Sequence, residues 1–135
     1  MPPANTDRAL FLLRLVIGIA FVYHGYQKLF VMGPGGVAGF FASLDIPLAT
    51  LSAWLVSLLE FAGGIALIIG LATRITAALL AITMVAAIWF AKRADGFTGW
   101  ELEYVLAGVA AALAIAGAGA LSIDAGWGRK AIGER

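Results

Sequence analysis

The sequence predicts an all-α membrane protein: a four-transmembrane-helix bundle with a short interfacial helix between the first and second spans. Composition is the first reason. Hydrophobic residues make up 62% of the 135 positions and charged residues 13%, against about 45–50% and about 25% in soluble domains. Mean hydropathy is +0.97. The second reason is that apolar runs recur, each near the roughly 20 residues that cross hydrocarbon. They read as one domain over residues 1–135 with spans at 8–31, 48–71, 74–91 and 100–118. The third is that ionisable residues interrupt those runs, which a bilayer tolerates only where they face protein or a wet cavity.

In chain order, Met1 to Arg8 reads as a short, poorly ordered polar head, with Thr6 or Asp7 able to cap the first helix. The first span follows, ALFLLRLVIGIAFVYHGYQKLFVM, carrying Arg14, His24, Gln27 and Lys28. Its apolar stretch is too long for a signal peptide, holds Arg14 and His24, and lacks a good small-x-small cleavage site before the polar loop. Gly33-Pro34-Gly35-Gly36 ends it. Residues 37–47 are too short to span, and Phe40, Phe41 and Leu44 share one helical face, so they form the interfacial helix. Pro47 closes it.

The second span holds Glu60 and the pair Gly63-Gly64, and Ala72-Thr73-Arg74 leaves only a tight turn, so the second and third spans are antiparallel neighbours. Arg74 is expected to anchor that turn to lipid phosphates. The third span is free of charge, with Trp89 and Phe90 in an aromatic belt. The fourth is entered through Trp100, Glu101 and Glu103 and ends at Gly117-Ala118-Gly119. The tail is short and polar, with Asp124 as a cap or a partner of its basic residues. No internal repeat is evident, and the packing signals are the glycines of the spans and the alanines of the fourth.

Four spans put both termini on one side. Arg8, Arg14, Arg74, Arg129, Lys130 and Arg135 then face Lys28, Lys92 and Arg93, which favours a bacterial cytoplasmic (inner) membrane protein with both termini in the cytoplasm. With no basic cluster, no nucleic-acid partner is expected. Without cysteine, disulfides, thiol relays and cysteine-held metals are excluded, and one histidine argues against a multi-histidine metal site.

The chemistry-bearing residues are those inside the spans. His24 and Lys28 are four apart on one helical face. Arg14 lies within about 40° of Lys28 around the axis, with Tyr23 and Tyr26 flanking the stripe. Glu60 falls roughly 18 Å into the second span. Opposite charges are expected to meet away from lipid: Glu60 with Arg14 or His24, and Lys28 with Glu101 or Glu103. Glu103 is favoured because Tyr104 follows it, but the register leaves both open. Such pairs can serve only to fix helix register. His24 is the preferred proton-handling residue, histidine being the side chain that most often relays protons.

These pieces resemble the DoxX family of small four-span bacterial membrane proteins. The resemblance runs through RLVIGIAFVYHGYQKLF from Arg14, GFFASLDIP from Gly39, LLEFAGGIALIIGLATR from Leu58, GWELEYVL from Gly99 and GAGALSID from Gly117. HGxxKL and ExxGGxxLxxGLxTR together make it specific. Asp45 stands where the family commonly has glycine, and Ala118 where a proline is usual. The resemblance implies the four-span fold and a role for Arg14, His24, Lys28, Glu60 and the glutamate of the fourth span. Some members serve quinone-linked thiosulfate oxidation or terminal quinol oxidation, and others accompany detoxification or oxidative-stress partners.

The first function expected is a redox accessory, the membrane subunit of a quinone-linked oxidoreductase. A quinone would sit between the first, second and fourth spans, with His24 and Glu60 as the catalytic pair moving protons. Arg14 and Lys28 would stabilise the reduced anion, with Tyr23, Trp54, Glu101, Glu103 and Tyr104 completing the ligand site. No cofactor is encoded, so electrons come from the ligand or a redox partner protein. The alternative is a non-enzymatic scaffold that binds another membrane subunit or a second copy, its charges only fixing register. A small transporter is a weaker third reading, because the spans lack broken-helix pairs and repeats.

Overall fold

The computed structural model describes residues 3–131 and residue 133. Helix α1 covers Pro3–Tyr26 and runs on through a π-helical turn, Gln27–Val31. Helix α2 is Gly33–Ser43, α3 is Ala49–Ile69, and α4 is Thr73–Ala87, extended by a second π-helical turn, Ile88–Lys92, and a short 3-10 turn, Arg93–Asp95. Helices α5, Phe97–Ala116, and α6, Ile123–Ala131, complete the order. No strand occurs among the described residues. Four of these helices, α1, α3, α4 and α5 with their extensions, are long and apolar enough to span a membrane.

Several boundaries differ from those the sequence suggests. The polar head is helical from Pro3, and Met1 and Pro2 lie outside the described residues. Asp7 is no N-cap: its Oδ1 accepts from the Ala120 backbone N–H at 2.8 Å, so the head is tied to the segment after α5. The Gly33-Pro34-Gly35-Gly36 stretch is the first turn of α2, with Gly33 at φ 74° and Pro34 placed where a missing N–H costs nothing. Asp45 adopts φ 57°, a left-handed conformation that glycine takes freely and aspartate tolerates. The tail is a helix, α6, rather than an irregular segment; Arg135 lies outside the described residues.

Helices α1 and α3 pack antiparallel along a glycine seam. A Cβ on Gly64 would lie 2.7 Å from the Gly18 carbonyl oxygen and 2.7 Å from the Val22 nitrogen, and one on Gly25 would strike the Phe61 backbone. Such close approach is how helices associate where lipid gives no hydrophobic push. Helices α4 and α5 form the second antiparallel pair, and the core between the two pairs is Ile17, Phe21, Leu67, Leu80, Met84, Leu106 and Leu113 with Ala77 and Ala110.

Candidate functional site: a charged cavity between two helical hairpins

The end of the bundle that carries the termini is a polar lock. Arg14, fully buried, donates from Nη1 to the Leu67 and Ile68 carbonyls at 3.2 and 3.3 Å and from Nη2 to the Leu121 carbonyl. Those first two carbonyls belong to the last turn of α3, where the regular i+4 amide partners run out and the Leu67 carbonyl also accepts from the Gly70 amide at 3.2 Å. Arg74 does the same for α5: Nη1 reaches Ala114 at 3.2 Å and Ile115, and Nη2 reaches Ala116 at 3.3 Å. This corrects the expected anchoring of Arg74 to lipid phosphates. Asp124 caps the start of α4, accepting from the Ala72 and Thr73 amides at 2.7 and 2.9 Å, rather than serving the tail that carries it.

At the opposite end the expected charge ladder forms with different partners. Lys28 Nζ donates to Glu60 Oε2 at 2.7 Å, with 2% of the Glu60 side chain exposed. Lys92 Nζ pairs with Glu103 Oε1 at 2.6 Å. Glu60 therefore meets neither Arg14 nor His24, and Lys28 meets neither Glu101 nor Glu103. The antiparallel register gives the reason. Gly25 lies opposite Phe61, Val22 opposite Gly64 and Gly18 opposite Ile68, which brings Lys28 level with Glu60 and Arg14 level with the end of α3. His24, one residue before Gly25, is turned about 100° away from the seam.

The two ion pairs line one cavity of about 620 Å³, between the parts of α3 and α4 remote from the termini and closed on one side by α2. Its walls are mainly apolar: Phe40 and Phe41 from α2, Leu44 just after it, Val56 from α3, and Ile82 and Phe90 from α4 and its π turn. Both lysines sit in π-helical turns, wide turns that recur at functional sites.

Of the residues picked from sequence, Lys28, Glu60 and Glu103 line the cavity; His24, Arg14, Tyr23, Trp54, Glu101 and Tyr104 do not. His24 contacts the Tyr23 ring edge-on at 5.9 Å, and among the described residues it has no hydrogen-bond partner. The Tyr23 hydroxyl accepts from Gln27 at 2.9 Å. Tyr104 packs on Phe97 and Trp100 in an exposed aromatic cluster, and Trp54 is 46% exposed. Arg14 is a helix cap at the far end. Sequence reasoning missed Lys92 and Asp95 as cavity residues, because both fall past the apolar run that marks the third span.

The sequence matches the DoxX family over residues 9–93. The chain belongs to the DoxX family. It is 36% identical over 114 residues to "Putative oxidoreductase CatD" of Bacillus subtilis (strain 168), covering 84% of this chain and 82% of that protein. It is also 36% identical over 96 residues to "Uncharacterized membrane protein Rv3486" of Mycobacterium tuberculosis (strain ATCC 25618 / H37Rv), covering 66% of this chain and 56% of that protein. No solved structure matches. The matched stretch holds Arg14, Lys28, Glu60, Arg74 and Lys92 but stops before Glu103 and Asp124.

Proposed function

We propose that this DoxX protein is a redox-associated membrane accessory that binds a lipophilic, quinone-like ring in the cavity beside Lys28 and Glu60. One observation carries the reading: apolar, aromatic walls line a cavity of about 620 Å³ that also holds an ion pair with a buried carboxylate. Ligand sites commonly combine an apolar lining of roughly 300–1,000 Å³ with a few fixed polar groups, and ionisable groups inside a span are functional candidates by default. The printed name of the Bacillus subtilis relative is that of an oxidoreductase, which favours redox over scaffold use.

In this reading Lys28 Nζ donates to a ring oxygen and Glu60 exchanges a proton with it. Electrons come from a redox partner protein. The chain lies in the bacterial inner membrane with both termini in the cytoplasm. His24, off the cavity, is not required to touch the ring.

The test is a titration of a decyl-substituted para-quinone into the detergent-solubilised protein, followed by quenching of tryptophan fluorescence. Saturable quenching is expected. Lys28→Met and Glu60→Gln should weaken it about tenfold or more, the scale of one hydrogen bond to a charged group, while His24→Ala leaves it unchanged. No saturation, or an unaltered response in both cavity variants, overturns the reading.

A further inference from the structure

Beyond one buried pair, the polar residues of the spans follow a pattern that occurs twice. In the α1–α3 hairpin, Arg14 caps the last carbonyls of α3, and Lys28, in a π-helical turn, pairs with Glu60 of α3. In the α4–α5 hairpin, Arg74 caps the last carbonyls of α5, and Lys92, in a π-helical turn, pairs with Glu103 of α5. Four residues more separate Arg74 from Lys92 than Arg14 from Lys28, and four more separate Glu103 from Ala116 than Glu60 from Ile69. The second hairpin is thus the first lengthened by about one helical turn in each arm, without the inserted α2. Both hairpins start at the end that carries the termini, so they are related by rotation about an axis along the bundle.

The cavity lies where the two hairpins meet, and each contributes its own Lys–Glu pair to the lining, Lys28–Glu60 from the α1–α3 hairpin and Lys92–Glu103 from the α4–α5 hairpin. We infer that the cavity is a two-ended receptor whose ligand is a flat apolar body with a hydrogen-bonding oxygen at each of two opposed positions, a para-dioxygenated ring rather than a mono-oxygenated one. An ion pair can serve such a group in either form: the lysine donates to a carbonyl oxygen and the carboxylate accepts from a hydroxyl. The ends are unequal. The Glu103 side chain is 12% exposed and Lys92 39%, against 2% and 23% for Glu60 and Lys28. The Lys28–Glu60 end is therefore the drier and stronger anchor, and the Lys92–Glu103 end discriminates.

This inference rests on the ring-binding reading above, and the experiment separates the two. Decyl-hydroquinone and decyl-phenol, which differ by one hydroxyl, are each titrated into wild type, Lys28→Met, Lys92→Met and Glu103→Gln, with gel filtration to establish that each variant is a folded, monodisperse particle. Wild type should bind the hydroquinone about tenfold more tightly than the phenol. Lys92→Met and Glu103→Gln should bring the two to within about twofold while keeping the wild-type affinity for phenol; Lys28→Met should weaken both. Lys92→Arg, which keeps the charge, should retain part of the discrimination if Lys92→Met fails to fold. Equal affinity of the wild type for the two rings, or full discrimination in Glu103→Gln, overturns the two-ended receptor alone. No saturable binding of either ring overturns ring binding itself, and this inference with it.

Discussion

Glu60 shows what a buried charge demands of its neighbours. With 2% of its side chain exposed, it depends on the Lys28 ammonium 2.7 Å away. Removing one member of such a pair typically costs about 3–5 kcal/mol, whereas replacing both by apolar groups can be close to neutral. Lys28→Met should therefore lower the unfolding midpoint in detergent markedly, and Lys28→Met with Glu60→Leu should recover most of the loss. A double variant as unstable as the single one would mean that the pair does not account for the stability of this region. The inward-facing stripe of Arg14 and Lys28 was legible in the sequence, because helical spacing alone puts them on one face. Their partners were not, because pairing depends on the level at which two helices meet. That level is held by Gly18, Gly25 and Gly64, which the sequence reading took as generic packing signals rather than as a register mark.

At the scale of elements, the glycines divide into those that set a distance and those that do not. A Cβ at Gly64 would lie 2.7 Å from backbone atoms of α1, while one at Gly108 on α5 would meet nothing within 4 Å. Gly64→Ala should force α1 and α3 apart and lose about 1–3 kcal/mol, the usual cost of overpacking. Gly108→Ala should be neutral or gain up to about 1 kcal/mol from helix propensity. Thermal unfolding in one detergent compares them directly, and equal effects would refute the seam. The four spans themselves were readable from length and hydropathy, and α2 from the shared face of Phe40, Phe41 and Leu44. The role of α6 was harder to read. Its first turn carries Asp124, whose partners Ala72 and Thr73 lie some fifty residues earlier, and no local pattern marks so distant a contact. Arg74 was misread for the same reason: its acceptors are carbonyls about forty residues away.

For the molecule as a whole, the proposed orientation makes a direct prediction, helped by the absence of cysteine. Gly35→Cys and Ala94→Cys should react with a membrane-impermeant maleimide added to intact cells, and Ala4→Cys and Gly128→Cys should react only after lysis. The opposite pattern reverses the topology, and labelling at all four from outside removes the four-span arrangement. The duplicated hairpin escaped the sequence because the charged residues its copies share, Arg14 and Arg74, Lys28 and Lys92, and Glu60 and Glu103, are few and sit in arms of unequal length, with α2 present in one alone. The terminal lock also bears on how the protein is made. Asp124, which caps α4, and the Leu121 carbonyl, which receives Arg14, emerge from the ribosome after all four spans. Until then the turn between α3 and α4 lacks its carboxylate cap and Arg14 lacks one acceptor, so the lock can close only once Leu121 and Asp124 have been made.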